Sequence, residues 1–189
     1  MKGAVFTAFN DMVDETFSPD VWEWLVDETA PGSGAIYTSA GSYPASELMN
    51  YVAALAERTG AAPNALVRTF GTYLLHVFYQ RHRVFFVDVG VRDFLQSVHN
   101  VIHVEVQKLH PDANLPWFEY ETPSPDQLVM IYDSPRRMCA LVEGLLDGVA
   151  QVFGTELQTT HATCTHRGAA HCRFEVAFTD PDKRVEYSE

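Results

Sequence analysis

The sequence has no apolar run approaching the roughly 20 residues that a membrane-spanning helix requires, and positive charge is scarce. Thirteen Lys and Arg stand against 25 Asp and Glu, a net charge of -12. A chain this acidic repels phosphate backbones and anionic lipid, so neither nucleic acid nor a membrane is an expected partner. There is no phosphate-cradling glycine loop, no G-x-S-x-G elbow and no H-E-x-x-H helix, which removes common nucleotide-binding, hydrolase and zinc-protease signatures. Cysteine is also sparse: three residues, an odd number, argue for free thiols or metal ligands over a disulfide framework. The amino terminus turns acidic too soon for a secretory h-region, and the expected compartment is cytoplasmic.

What is present is 47% hydrophobic content over 189 residues, enough to bury one core. Val5, Phe6, Phe9, Met12 and Val13 recur at helical spacing within residues 1–18. Pro19, capped by Ser18, opens a second helix carrying Trp22, Leu25 and Val26. Residues 30–44 form a Gly/Ser/Pro-rich loop, 45–59 a helix stopped by Gly60, and Pro63 begins another reaching Phe78. A further amphipathic helix spans 91–110, with Phe94, Leu95, Val98, Ile102 and Val106 on its buried side and Pro111 at its end. WFEYE and QLVMIYDS, separated by TPSPD, read as a hairpin. Residues 136–153 return to helix, and TELQTT and HCRFEVAF supply two more strands. Helices at the front and an antiparallel sheet behind indicate an α+β fold. The charged stretch from Pro181 onward reads as a frayed tail.

Three groups of residues could carry chemistry. His99 and His103, four apart, project from one helix face, a spacing open to a metal. A single histidine on an apolar face is more often a core residue. Tyr132, Ser134 and Arg136 alternate at a strand end and so point one way, offering a phenol, a hydroxyl and a guanidinium suited to paired carboxylates. Cys139, His161, Cys164 and Cys172 make a complete tetrahedral set for structural zinc, with His166 and His171 as rival ligands. Cys139 can equally be a small buried apolar residue. Glu105 and Glu143 have no evident partner and read as solvated helix faces.

The opening MKGAVFTAFNDMV, the segment FLQSVHNVIHVEVQKLHPDANLP, the motif YDSPRR and the helix EGLLDGVAQVFG carry a resemblance to the H-NOX family, the haem nitric oxide/oxygen-binding domains. It covers essentially the whole chain. It implies a single domain over 1–182, with a helical portion (about 1–63) packed on a haem-ligating and sheet portion (about 64–182), haem b between them, and a tail at 183–189. By the same resemblance His103 is the proximal iron ligand, Tyr132, Ser134 and Arg136 hold the propionates, and Pro116 distorts the macrocycle. Oxygen-binding members carry a tyrosine nine residues after the position of Tyr132; here that residue is Leu141. Val5, Phe9, Leu141 and Leu145 then form an apolar distal wall, implying nitric oxide and carbon monoxide binding without a stable oxygen complex. Some bacterial members are similar in using the cysteine set as a zinc and thiol-redox site. Free-standing members regulate a separate histidine kinase or cyclic-di-GMP enzyme, so the expectation is a sensor and not an enzyme. Two alternatives stand beside it: a thiol-redox sensor built on the Cys/His cluster, and a zinc-dependent enzyme.

Overall fold

The computed structural model describes residues 1–185 and begins with four helices: α1 (Gly3–Thr16), α2 (Pro19–Thr29), α3 (Ala45–Thr59) and α4 (Pro63–Arg81). Pro19 and Pro63 occupy the first turn of their helices, where a missing N–H is harmless. Gly60 closes α3 in the left-handed region at φ 73°. Ser18 precedes α2 as expected, but its side chain makes no capping bond; its extended backbone (φ 178°) instead presents its carbonyl to Val21 N at 3.0 Å. α1 starts only at Gly3, because Lys2 pairs with Ser42 as an isolated antiparallel bridge. The apolar stripes of these helices meet in a cluster where Phe6, Phe9, Tyr51 and Phe70 are wholly buried. Phe9 sits edge-on to Phe70 at 5.1 Å. Each such ring contributes about 1.5–3 kcal/mol relative to exposure.

The single helix expected over 91–110 is three segments: α5 (Val91–Ser97), a π turn (Val98–Ile102) and α6 (His103–Leu109). His103 N–H reaches back five residues to Val98 O. The extra residue turns everything beyond it by about 100°. The expected buried face therefore fades: Phe94 and Leu95 are buried, Val98, Ile102 and Val106 only half so, and Val104 and Leu109 are exposed.

The sheet follows as β1 (Trp117–Ser124), β2 (Gln127–Asp133), β3 (Leu157–Thr163) and β4 (Cys172–Phe178), antiparallel in the order β1-β2-β4-β3. β1 runs past the expected WFEYE to Ser124, with a register shift between Glu121 and Ser124, so the turn narrows to Pro125 and Asp126. Between β2 and β3 lies α7 (Cys139–Phe153), which starts three residues later than expected because residues 134–137 form a turn closed by Arg137 N to Ser134 O at 3.0 Å. α7 crosses α4 so closely that a Cβ on Gly144 would lie 1.9 Å from the Arg68 carbonyl oxygen. α4 and α7 both contribute to the helical cluster and to a second cluster beneath the sheet, and Leu145 packs against both. That crossing joins the two halves.

The tail does not fray immediately. Pro181 and Lys183 accept backbone hydrogen bonds from Arg92 and Val91 at the start of α5, and Val185 packs on the sheet cluster. The rest of the expected tail, 186–189, lies outside the described residues. Among the described residues no helix is long and apolar enough to cross a membrane.

Candidate functional site

The first residue of α6 is His103, directly after the π turn. Its ring lies 5.9 Å from Phe118 of β1, and Phe118 lies 5.4 Å from Tyr132 of β2. His99, one turn earlier, is 6.2 Å from His103 and edge-on to Trp117 at 4.2 Å. Nδ1 of each imidazole is buried without a hydrogen-bond partner. Burial first, and His99 second, push the His103 pKa down to about 4, against a smaller opposing effect of the Pro116 backbone. His103 is therefore neutral at physiological pH, the state a metal ligand must have. Pro116, whose backbone acts on this imidazole, is half-buried at the foot of β1.

Tyr132 near the end of β2 and Ser134 just beyond it are both buried. Arg136 arrives differently: β2 ends at Asp133, and the turn at 134–137 swings the guanidinium onto the carbonyl oxygen of Asn114. Ser134 Oγ accepts from Arg136 N at 3.3 Å, and Tyr132 Oη accepts from Met138 N at 3.3 Å. The turn thus ties the strand end to the loop between α6 and β1. The four apolar residues expected on one wall do share a cluster: Phe9 is in the helical core, and Val5, Leu141 and Leu145 pack against it.

The second group assembles fully. Cys139 from the start of α7, His161 from β3, Cys164 just after it and Cys172 at the start of β4 place one ligand atom each within 4.8 Å of all the others. The Cys139 and Cys164 sulfurs are 3.7 Å apart. Burial, reinforced by the neighbouring thiols, pushes Cys139 up to about 12. Thr165 N donates to Cys172 Sγ at 3.4 Å. His166 is engaged elsewhere, its Nε2 at 2.7 Å from Arg137 O, and neither it nor His171 joins the set. Glu105 sits in a surface ion pair with Lys108. Glu143 departs from the expectation of a solvated face: it lies 2.7 Å from His161 Nδ1 and 3.8 Å from Arg68. No local sequence pattern marks that contact, since it depends on α7 packing across β3.

An imidazole with a buried, unsatisfied nitrogen, a Tyr/Ser/Arg group at a strand end and an apolar cluster are the kinds of residue that could hold haem in a gas-sensing haem domain. Comparison with known proteins gives the family. A family model described as Haem-NO-binding matches residues 2–161. An H-NOX protein from Shewanella oneidensis, a triple mutant in the Fe(II) state, is 35% identical with a TM-score of 0.90, covering 99% of this chain and 100% of that one. The Fe(II)NO state of an H-NOX protein from S. oneidensis aligns at 36% identity and TM-score 0.88, over 95% and 99% of the two chains. An Fe(II)CO structure of an H-NOX domain from Shewanella oneidensis aligns at 36% and 0.85 over the same shares. No curated protein sequence matches the chain significantly. The chain belongs to the H-NOX family of haem-based gas sensors, and the family's cofactor is haem.

Proposed function

We propose that this chain is a cytoplasmic nitric oxide sensor that holds haem b through His103 and reports to a separate signalling protein, a histidine kinase or a cyclic-di-GMP enzyme. The observation that carries the reading is the His103 imidazole, neutral, largely buried and lacking a partner for Nδ1. Haem held there would supply an iron able to bind a diatomic gas. Tyr132, Ser134 and Arg136 would hold the propionates, and Pro116 would be the rigid contact against the macrocycle. The π turn directly before His103, closed by His103 N–H to Val98 O, is a local irregularity through which a displacement of this imidazole would pass to α6.

Val5, Phe9, Leu141 and Leu145 offer no donor to a bound gas. Oxygen gains most from such a donor, whereas nitric oxide and carbon monoxide bind without one. The ferrous protein is expected to keep its spectrum in air, and Leu141→Tyr to move it towards a persistent oxygen complex. A stable oxygen complex in the unmodified protein overturns the selectivity. The tight Cys139/His161/Cys164/Cys172 set favours a second reading alongside the first: a structural zinc site whose thiols can also respond to oxidation. Four protein ligands leave no position for a zinc-bound water, so the set does not support a zinc enzyme. One iron and one zinc per chain on metal analysis is the expected result.

A further inference from the structure

We propose that Glu143 is a positioning residue for the Cys/His metal site, holding His161 in the tautomer that turns Nε2 towards the three thiols. The inference rests on the zinc reading of that cluster and names the residue outside the ligand set that tunes it.

Glu143 follows Cys139 by one helical turn of α7, so both side chains project from the same face towards β3. Its carboxylate, three-quarters shielded from solvent, places Oε1 at 2.7 Å from His161 Nδ1. A carboxylate only accepts, so the short contact puts the imidazole hydrogen on Nδ1. In the neutral ring the lone pair then falls on Nε2. That atom is buried with no hydrogen-bond partner; one nitrogen of the ring lies within 4.8 Å of the sulfurs of Cys139, Cys164 and Cys172, and with Nδ1 taken by Glu143, Nε2 is the one left to face them.

The ring is not free to choose otherwise. It stacks on Phe174 at 4.3 Å with an interplanar angle of 23°, which fixes its plane within the sheet. Glu143 is itself placed from the other side, with Oε2 at 3.8 Å from the Arg68 guanidinium of α4. A plain Glu–His ion pair accounts for the Nδ1 contact but leaves an Nε2–H buried without a proper acceptor. A metal on Nε2 satisfies every atom. Carboxylate–histidine–zinc arrays of this kind fix the tautomer and strengthen the ligand, and losing the carboxylate typically costs about 10- to 100-fold in metal affinity.

The test uses the full haem-loaded chain. Zinc affinity is measured by competition with a chromophoric chelator for the unmodified protein, Glu143→Gln, Glu143→Ala and His161→Ala, with the Soret band checking that each variant is folded. Both Glu143 variants are expected to bind zinc about 10- to 100-fold more weakly with an unchanged Soret band. Nitrogen-15 NMR of the zinc-loaded unmodified protein is expected to show Nδ1 of His161 protonated and Nε2 bound to metal, a readout that no variant has to fold to provide. Unchanged affinity in both Glu143 variants, or metal on Nδ1, overturns the role of Glu143 while leaving the zinc site standing. Full affinity in His161→Ala removes His161 from the ligand set and overturns the proposal, and no zinc in the unmodified protein overturns the zinc site itself and the proposal with it.

Discussion

A single methyl group added at residue 144 should weaken the junction between the two halves. A Cβ there would lie 1.9 Å from the Arg68 carbonyl oxygen, 2.7 Å from its carbon and 2.9 Å from Gly71 Cα. Ordinary non-bonded carbon contacts lie near ~3.5–4.0 Å. The obstructing atoms are backbone, so relief requires α4 and α7 to separate. Overpacking of this kind costs about 1–3 kcal/mol, here at the upper end, and the better helix propensity of alanine returns about 1 kcal/mol. The net loss is about 2 kcal/mol, which in a protein of this size lowers Tm by about 4–8 °C. The same separation strains the bidentate Arg68–Asp147 pair, whose N–O distances are 2.6 and 2.9 Å, and displaces Leu141 and Leu145, which flank residue 144 on α7. Circular dichroism melts of Gly144→Ala measure the effect. Gly32→Ala is the control, because its Cβ meets only Glu47 Oε1 at 3.6 Å. A Gly144→Ala protein as stable as the unmodified chain would refute the backbone-contact argument.

Two further perturbations test how the rest of the frame is held. Glu47 is buried and accepts from Ser33 N, Ser33 Oγ and Tyr37 Oη at 3.1, 2.7 and 2.8 Å. Glu47→Gln removes the charge from this network and is expected to cost about 1.5–3 kcal/mol, seen as a lower urea midpoint at constant m; an unchanged midpoint contradicts the role. Asp112, between α6 and β1, has its pKa lowered from 3.8 to about 2, first by the Lys2 ammonium and then by the Ser42 hydroxyl. A depressed carboxyl contributes stability that is complete above pH 3.8 and lost as pH falls through about 2. Acid titration of Asp112→Asn should therefore show a shallower loss across that window than the unmodified chain, and parallel curves would count against the contact.

Much of the architecture was legible because periodicity reports burial directly. Pro19, Pro63 and Gly60 mark helix ends through backbone chemistry that needs no partner, and the alternation in β2 correctly buries Tyr132. Legibility failed where one residue changes phase. The π turn at 98–102 cannot be seen in a pattern of apolar residues, because it shifts the face without altering the sequence that forms it. Arg136 belongs to a turn beyond the end of β2, so strand alternation does not decide where it points. In the thiol site, the residue types suggested the ligands, but Cys139 meets Cys164 across 25 residues. Glu143 reads as solvent-facing in the sequence because its partner His161 lies on a strand that only the packing of α7 brings near. Local pattern identifies donors; tertiary packing decides which of them meet.

The proposed haem site depends most directly on His103. In the ferrous protein, His103→Ala is expected to lose the Soret band and the spectral response to nitric oxide, and added imidazole is expected to restore both by filling the space of the missing side chain. A His103→Ala protein that keeps an unchanged Soret band and responds to nitric oxide like the unmodified chain would contradict it.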